Sequence, residues 1–225
     1  MFSLNHDLMK KDYSMILSFL GQKGGGGKST FTRATAVEYV KNGWSVHVAD
    51  MDERQGSTFK WSIRRNEAEI TPEIEVAIYT NEKAALKAAA TCDLLIVDGK
   101  PYSSKQTLSI AEASDLVVIP TGTTIDDLEP SLELGRELIQ AKIPRERIVF
   151  IVNKVASLAE AKEAIDTIQT WGFTVADLYL DYKAGYGKSL DEGLGLTEAR
   201  WASIAEKSDQ IIGWIGERLM ENSNG

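Results

Sequence analysis

The sequence has very little of what disulfide frameworks, metal centres and membrane spans require. It contains one cysteine, Cys92, and two histidines, His6 and His47, among 225 residues. A single thiol excludes an internal disulfide, and two distant histidines argue against a His/Cys metal centre. The apolar runs are of strand length, well below the roughly 20 residues of a membrane-spanning helix. A cytoplasmic, reducing location is therefore expected.

The chain also lacks internal repeats, low-complexity blocks and linkers, so its length predicts one α/β domain. Lys10 and Lys11 precede an apolar run, but that run is too short for a secretory signal and has no small-residue cleavage site. We predict a flexible leader over residues 1–13, a domain over residues 14–220 and a frayed tail over residues 221–225.

Basic residues are outnumbered, 25 to 33, which gives a formal net charge of −8. The average field therefore works against nucleic acid, although a local basic patch can still bind it. Three clusters are candidates: Lys60/Arg64/Arg65, Lys142/Arg145/Arg147, and Lys183, Lys188, Arg200, Lys207 and Arg218. The alternative, solvated helix faces balanced by nearby acids, stays open.

Apolar strand-length runs alternate with helical patterns along the whole chain. Strands are predicted at 14–20, 45–50, 74–79, 93–98, 116–120, 148–152 and 175–179. Helices are predicted at 28–41, 56–66, 82–90, 104–113, 126–141, 158–171 and 198–220. This alternation predicts a mostly parallel, twisted sheet with helices on both faces. The last helix has one apolar face and acidic terminal residues, which favours packing on the sheet over membrane binding.

The strongest motif is the run Lys23–Thr30, which reads KGGGGKST. It follows a predicted strand and opens a predicted helix, as a phosphate-binding loop must. Its glycines allow successive N–H groups to point at one anion, and the helix N-terminus adds a positive dipole. Lys28 is expected on the β- and γ-phosphates, and the Ser29 hydroxyl on Mg²⁺. The alternative, a glycine-rich linker, does not explain this order of elements.

The second lysine makes the motif more specific. Lys23 to Thr30 fits the pattern Lys-Gly-Gly-x-Gly-Lys-Ser/Thr-Thr/Ser at every position. It resembles the deviant phosphate loop of the ParA/MinD family of P-loop ATPases, so a single-domain P-loop fold is implied. In that family the early lysine reaches across a dimer to the partner's nucleotide, which implies this role for Lys23. The nucleotide-binding residues implied are Gly24, Gly25, Gly26, Gly27, Lys28, Ser29 and Thr30.

Two acidic segments extend the resemblance. The segment at residues 50–57 looks like the family's switch I, with Glu53-Arg54 in place of the usual proline. A form Asp-x-Asp-x-Arg-Gln resembles the branch of MipZ, a positioning ATPase. Asp52 is implied to orient water and Asp50 to be structural or on the metal side.

The strand ending in Asp98 resembles the Walker B region, and a carboxylate there would lie on the Mg²⁺ side. The later run at residues 149–154 looks like the strand whose asparagine, here Asn153, faces the adenine. Residues 181–189 resemble the loop near the base.

The resemblance implies an ATPase that uses ATP and Mg²⁺ and forms a homodimer when ATP is bound. Partition of plasmid or chromosomal DNA is the first expectation. A centromere-binding or ATPase-activating protein is then the expected partner, and non-specific DNA binding and nucleoid association are possible. A positioning ATPase for division sites or other cell structures is the alternative. A metabolic ATP-using enzyme stays open, although one cysteine excludes a nitrogenase-like iron–sulfur reductase.

Overall fold

The structure is a computed structural model that describes residues 13–101 and 104–223. Its strands are β1 Met15–Phe19, β2 Val46–Asp50, β3 Glu75–Ile78, β4 Leu94–Asp98, β5 Leu116–Thr121, β6 Ile148–Val155 and β7 Thr174–Asp181. Its α-helices are α1 Lys28–Lys41, α2 Ser57–Glu67, α3 Glu82–Lys87, α4 Ser104–Ala113, α5 Ile125–Gln140, α6 Leu158–Thr170, α7 Ala184–Asp191 and α8 Ala202–Ser223. Short 3-10 helices cover Ala88–Thr91, Arg145–Arg147 and Leu196–Glu198.

All seven strands of the described sheet are parallel, in the order β3-β2-β4-β1-β5-β6-β7. The chain order of neighbours reverses at β1, which lies between β4 and β5. In open parallel sheets ligands bind at such a point, outside the carboxyl ends of the strands. The register pairs Phe19 and Asp50 with Asp98, so β1, β2 and β4 all end at this place. The predicted fold class is thereby confirmed.

Alternating side chains of the buried strands form two apolar cores, one on each face of the sheet. One core includes Phe31 of α1, Trp61 of α2 and Ile211 of α8. The other includes Leu132 of α5 and Ile168 of α6. Central strands are buried on both faces, which explains their continuous apolar sequences.

Helix α7 was missed, because residues 181–189 were interpreted as a loop. Two glycines lower the helix propensity of this segment. Close packing overrides propensity here, since a Cβ on Gly185 would lie 3.0 Å from Ile204 Cδ1 and from the ring of Trp201. The Ser189 hydroxyl also donates to the Gly185 carbonyl oxygen (3.0 Å).

The prediction of a frayed tail from residue 221 is wrong for residues 221–223, which continue α8. Ser223 is buried, and its hydroxyl donates to the Leu219 carbonyl oxygen (2.7 Å). The Tyr13 hydroxyl donates to the Ser223 carbonyl oxygen, so the start of the described chain holds this end. The predicted leader at residues 1–12 and the tail residues 224–225 lie outside the described residues.

Helix α8 begins at Ala202 rather than near residue 198, because a 3-10 helix and an extended turn precede it. Its predicted apolar face is buried, including Ile204, Ile211, Ile212, Ile215 and Leu219. None of the helices in the described part of the chain is both long enough and apolar enough to cross a membrane.

Candidate nucleotide site

The loop between β1 and α1 forms the floor of a cavity at the point where the sheet order reverses. Gly25 (φ 79°) and Gly27 (φ 110°) take left-handed conformations that side chains rarely adopt. A Cβ on Gly27 would lie 2.4 Å from Asn153 Nδ2, so glycine is also required sterically. Helix α1 starts at Lys28 with no side-chain cap, which leaves its first N–H groups available to an anion.

The cavity has a volume of about 340 Å³ and is lined by polar and charged groups. Six of the predicted nucleotide-binding residues line it: Gly24, Gly25, Gly27, Lys28, Ser29 and Thr30. Asp50, Asp52 and Asp98 line it as well. Gly26 is absent from the lining, because its backbone turns toward β5, where a Cβ would lie 3.1 Å from the Pro120 carbonyl oxygen.

Lys28 is a buried cation inside the loop. Its side chain folds back so that Nζ donates to the Lys23 carbonyl oxygen (2.9 Å). Burial lowers the pKa of the Lys28 amine, while the charges of Asp98 and Asp52 oppose this shift. An anion in the cavity would stabilise the charged form of this amine.

Asp98 is a buried carboxylate of the site, with 3% of its surface exposed. Its Oδ2 accepts a hydrogen bond from the Thr58 hydroxyl (2.6 Å). Burial, followed by the charge of Asp50, raises the pKa of Asp98 to about 6, against stabilisation by the Thr58 and Ser29 hydroxyls. Its Oδ1 is buried and has no hydrogen-bond partner. The Ser29 hydroxyl lies near enough to the carboxylate to lower its pKa.

These groups fit a hard divalent cation such as Mg²⁺. Mg²⁺ takes oxygen ligands and commonly combines one or two carboxylates with phosphates and water. The unsatisfied Asp98 Oδ1 and the Ser29 hydroxyl provide such oxygens beside the same cavity. Within residues 13–101 and 104–223, no three His, Cys, Asp or Glu side chains come together as a metal site. A cation here would complete its coordination with water or with a bound phosphate.

Asp50 holds the start of helix α2. Its Oδ1 accepts from the Asp52 amide (3.1 Å), and its Oδ2 accepts from the amides of Thr58 (2.9 Å) and Phe59 (3.1 Å). Burial raises the pKa of Asp50, although these three amides oppose the shift. Both oxygens are thus engaged by backbone, which supports the structural alternative for Asp50.

Asp52 occupies a more open position over the cavity. Its Oδ1 accepts from the Gln55 amide (3.0 Å), which closes the turn through Glu53 and Arg54. Both Glu53 and Arg54 are exposed. Asp52 is therefore near enough to the cavity for its carboxylate to contact a ligand or a water bound there.

Lys23 lies at the start of the loop, with 45% of its side chain exposed. Its Nζ contacts Asp127 Oδ1 (3.0 Å) and donates to the Asp126 carbonyl oxygen (3.2 Å), both in the first turn of α5. Lys23 is not among the residues that line the cavity of its own chain.

Asn153 lies beneath the loop rather than over an open base pocket. Its Nδ2 donates to the Gly26 carbonyl oxygen (3.2 Å), and its Oδ1 accepts from the Lys154 amide (2.8 Å). These bonds give Asn153 a loop-supporting position, and its contact with adenine stays a prediction. No role was predicted for Lys154, which has φ 59° and places Nζ 3.6 Å from the position of a Cβ on Gly25. Its place directly after Asn153 was the only signal.

Two further residues of the site were also missed, Arg33 and Thr58. Arg33 lines the cavity from α1, and Thr58 binds Asp98 from α2. Arg33 follows Ser29 by four positions, so both lie on one face of α1. A charge on an otherwise buried helix was the signal that could have found it.

The basic clusters are largely engaged within the chain. Arg65 is completely buried and pairs with Glu198, so the candidate surface cluster Lys60/Arg64/Arg65 is wrong for Arg65, whereas Lys60 is exposed. Arg200 pairs with Glu192, Lys207 and Lys183 pair with Asp181, and Arg218 pairs with Glu221. Arg145 donates to the carbonyl oxygens of Trp171 and Gly172.

Comparison with known proteins identifies a nucleotide-binding family. Residues 17–196 match the family model described as the CobQ/CobB/MinD/ParA nucleotide binding domain. No curated protein matches the chain significantly.

Solved structures with the same fold include three nucleotide complexes. The ATP complex of a Cyanothece McdA variant is 12% identical, with a TM-score of 0.67 over 92% of this chain and 98% of that one. A putative plasmid partition protein from Borrelia burgdorferi B31, bound to AMPPNP, is 16% identical, with a TM-score of 0.66 over 91% and 99%. The septum site-determining protein MinD from Pyrococcus horikoshii OT3, complexed with Mg-ADP, is 15% identical, with a TM-score of 0.67 over 91% and 98%. At these identities the likeness establishes the fold alone.

Proposed function

The chain belongs to the CobQ/CobB/MinD/ParA family of nucleotide-binding domains, and from this premise we propose that it is a ParA-type ATPase. It would hydrolyse ATP to ADP and phosphate and act as an ATP-dependent dimerisation switch in plasmid or chromosome partition. It would work in the cytoplasm, with a centromere-binding or ATPase-activating protein as its partner.

One observation carries the proposal. The buried Lys28 amine and the Asp98 carboxylate, with its unsatisfied oxygen, line one cavity around the glycine loop. ATP would bind along Gly24 to Thr30, where backbone N–H groups and the start of α1 receive phosphate. Ser29 and Asp98 would hold Mg²⁺, which supplies charge neutralisation when bound. Asp50 would support this geometry by fixing α2.

Hydrolysis would depend on residues at the open side of the cavity. Asp52 would orient the attacking water, because its carboxylate lies over the cavity and only its Oδ1 accepts a backbone amide. Lys23 would act in the partner's site. A cation supplied in trans is worth roughly 10³–10⁵-fold in rate in related phosphoryl transfer. Lys23 would first have to leave Asp127, and both side chains are solvent-accessible enough for this exchange.

The test is a comparison of Lys23→Ala and Asp52→Ala with the unchanged chain and with Lys162→Ala, a matched exposed lysine on α6. Both site variants should bind a fluorescent ATP analogue within a few-fold of the parent but lose most Mg²⁺-dependent ATPase activity. Light scattering should show ATP-dependent dimers of Asp52→Ala. Parental turnover in both site variants would refute these assignments.

Partition further requires contact with DNA in the ATP state. Asp52→Ala should bind unrelated duplex DNA with ATP but not with ADP, and the affinity should fall steeply with salt. Most basic side chains of the third cluster are paired within the chain, so we expect dimerisation to contribute to any DNA surface.

A positioning switch is the second candidate, favoured by the exposed Glu53-Arg54 turn in place of one proline. The same experiment separates the two functions. ATP-dependent dimers that do not bind DNA at low salt would favour a positioning role on a protein surface.

A further inference from the structure

Arg33 is a buried cation on the inner wall of the candidate nucleotide site. It is 7% exposed and lies one turn after Ser29 on α1. Its guanidinium carbon is 5.8 Å from the centre of the Trp61 ring, against which it packs. Burial lowers the pKa of Arg33 to about 10, so the side chain stays charged at neutral pH. A buried charge of this kind is costly unless an opposite charge or a hydrogen-bond acceptor compensates it.

The Thr58 hydroxyl connects Arg33 to the Asp98 carboxylate. Arg33 Nε donates to Thr58 Oγ1 (3.4 Å), and the Thr58 hydroxyl donates to Asp98 Oδ2 (2.6 Å). Arginine is only a donor and a hydroxyl carries one hydrogen, so the direction of both bonds is fixed. Thr58 must accept from Arg33 and give its hydrogen to Asp98. The relay therefore engages Oδ2 and leaves Oδ1 as the unsatisfied oxygen of Asp98.

We propose that Arg33 and Thr58 form a relay that orients Asp98 for Mg²⁺, with Arg33 a positioning residue that acts through the Thr58 hydroxyl. The relay joins three elements, α1, α2 and β4, at the cation side of the site. It rests on the proposed Mg²⁺–ATP function. The competing interpretation is that Arg33 only packs against Trp61 and stabilises the fold.

The two interpretations differ in what they predict for the effect of Mg²⁺ on nucleotide affinity. The dissociation constant of a fluorescent ADP analogue is measured in EDTA and in Mg²⁺, and the ratio of the two is compared between variants. Thr58→Val and Arg33→Met should each reduce this ratio about 10-fold, as expected for loss of a hydrogen bond to a charged group. Thr58 does not line the cavity, so the affinity of Thr58→Val in EDTA should stay within about two-fold. Arg33→Met also removes a cation from the cavity wall and should lower the affinity in both conditions, with a larger loss in Mg²⁺. Arg33→Lys should restore the common loss and part of the ratio.

Two controls make the test specific. Thr35→Val removes a buried threonine hydroxyl on α1 that has no hydrogen-bond partner, and it should leave the ratio unchanged. The double variant Arg33→Met/Thr58→Val should have the same ratio as the single variants, because the loss of either residue already interrupts the link from Arg33 to Asp98. Arg33→Gln, which keeps a donor without the charge, replaces Arg33→Met if that variant does not fold.

Several outcomes would overturn the relay. One is an equal loss of affinity in EDTA and Mg²⁺, which would indicate a structural role only. Another is a double variant whose loss is the product of the two single losses. A parent ratio that is large and unchanged in all variants would overturn the relay but leave the proposed function intact. A parent that binds no nucleotide under either condition would refute the proposed function and the relay with it.

Discussion

The buried pair between Arg65 of α2 and Glu198 offers the sharpest stability prediction. Arg65 is fully buried, and its Nη1 and Nη2 contact the two carboxylate oxygens of Glu198 at 2.6 and 3.0 Å. Glu198 Oε2 also accepts from the Gly195 amide (2.8 Å). The pair thereby attaches helix α2 to the segment before α8.

Replacing Glu198 with glutamine leaves the Arg65 charge buried without a counter-ion. Breaking such a pair from one side costs about 3–5 kcal/mol of unfolding free energy. Arg65 keeps its bonds to the carbonyl oxygens of Pro72 and Gly193, so the lower end is expected. For a chain of this size each kcal/mol lowers Tm by about 2–4 °C, so a fall of about 6–12 °C follows.

The effect should depend on pH with a defined sign. Burial alone would raise the pKa of Glu198, but the hydrogen bonds from Arg65 and the Gly195 amide outweigh it and hold the pKa below its ordinary value. The charged pair is therefore fully stabilising above the ordinary pKa, and its contribution is lost as pH falls through the lower folded-state pKa. The difference in unfolding free energy between the parent and Glu198→Gln should then become smaller at acid pH.

Urea unfolding of both chains at neutral and acid pH measures this. Glu133→Gln is the matched control, because Glu133 pairs with Arg136 on the surface, where such pairs contribute about 0–1 kcal/mol. A loss for Glu198→Gln no larger than for Glu133→Gln, or a difference that does not narrow in acid, would refute the reasoning.

Two further predictions concern the nucleotide loop. Gly27→Ala should abolish nucleotide binding and destabilise the fold by about 1–3 kcal/mol, since a Cβ there lies 2.4 Å from Asn153 Nδ2 and the backbone is left-handed. Gly24→Ala has open space for its Cβ and should fold normally. Thermal melts of the two variants measure the difference. Equal Tm values for the two variants would contradict this. Asp127→Asn should weaken the hold on Lys23 and lower the ATP concentration needed for dimers by up to about five-fold, measured by light scattering, because an exposed pair is worth up to about 1 kcal/mol. An unchanged or higher ATP requirement would argue that the contact between Lys23 and Asp127 does not hold Lys23 in the monomer.

Local patterns predicted the fold and the phosphate loop, whereas contacts between distant residues could not be read in the same way. The run from Lys23 to Thr30 carries its own strand–loop–helix context, so its position needed no tertiary information. Arg65 was placed on a basic surface because its partner Glu198 is 133 residues away in the chain. Arg33 and Thr58 were missed for the same reason, since their link to Asp98 exists only in the folded sheet. Helix α7 was missed because its two glycines lower the predicted helix propensity, whereas its packing against Trp201 is visible only in the folded chain.

The bonds made by Asp50 have a consequence for how the chain accommodates the turn through Glu53 and Arg54. One carboxylate binds the amide of Asp52 at the beginning of the turn and the amides of Thr58 and Phe59 at its end. Both ends of the turn are thereby clamped to the tip of β2, and Gly56 closes it with φ 52°.

An additional residue between these fixed ends can only bulge outward, where Glu53 and Arg54 are exposed to solvent. Neither the first turn of α2 nor the position of Thr58 has to change. The tip of this turn can thus change in length and charge without moving the carboxylates that line the cavity beneath it.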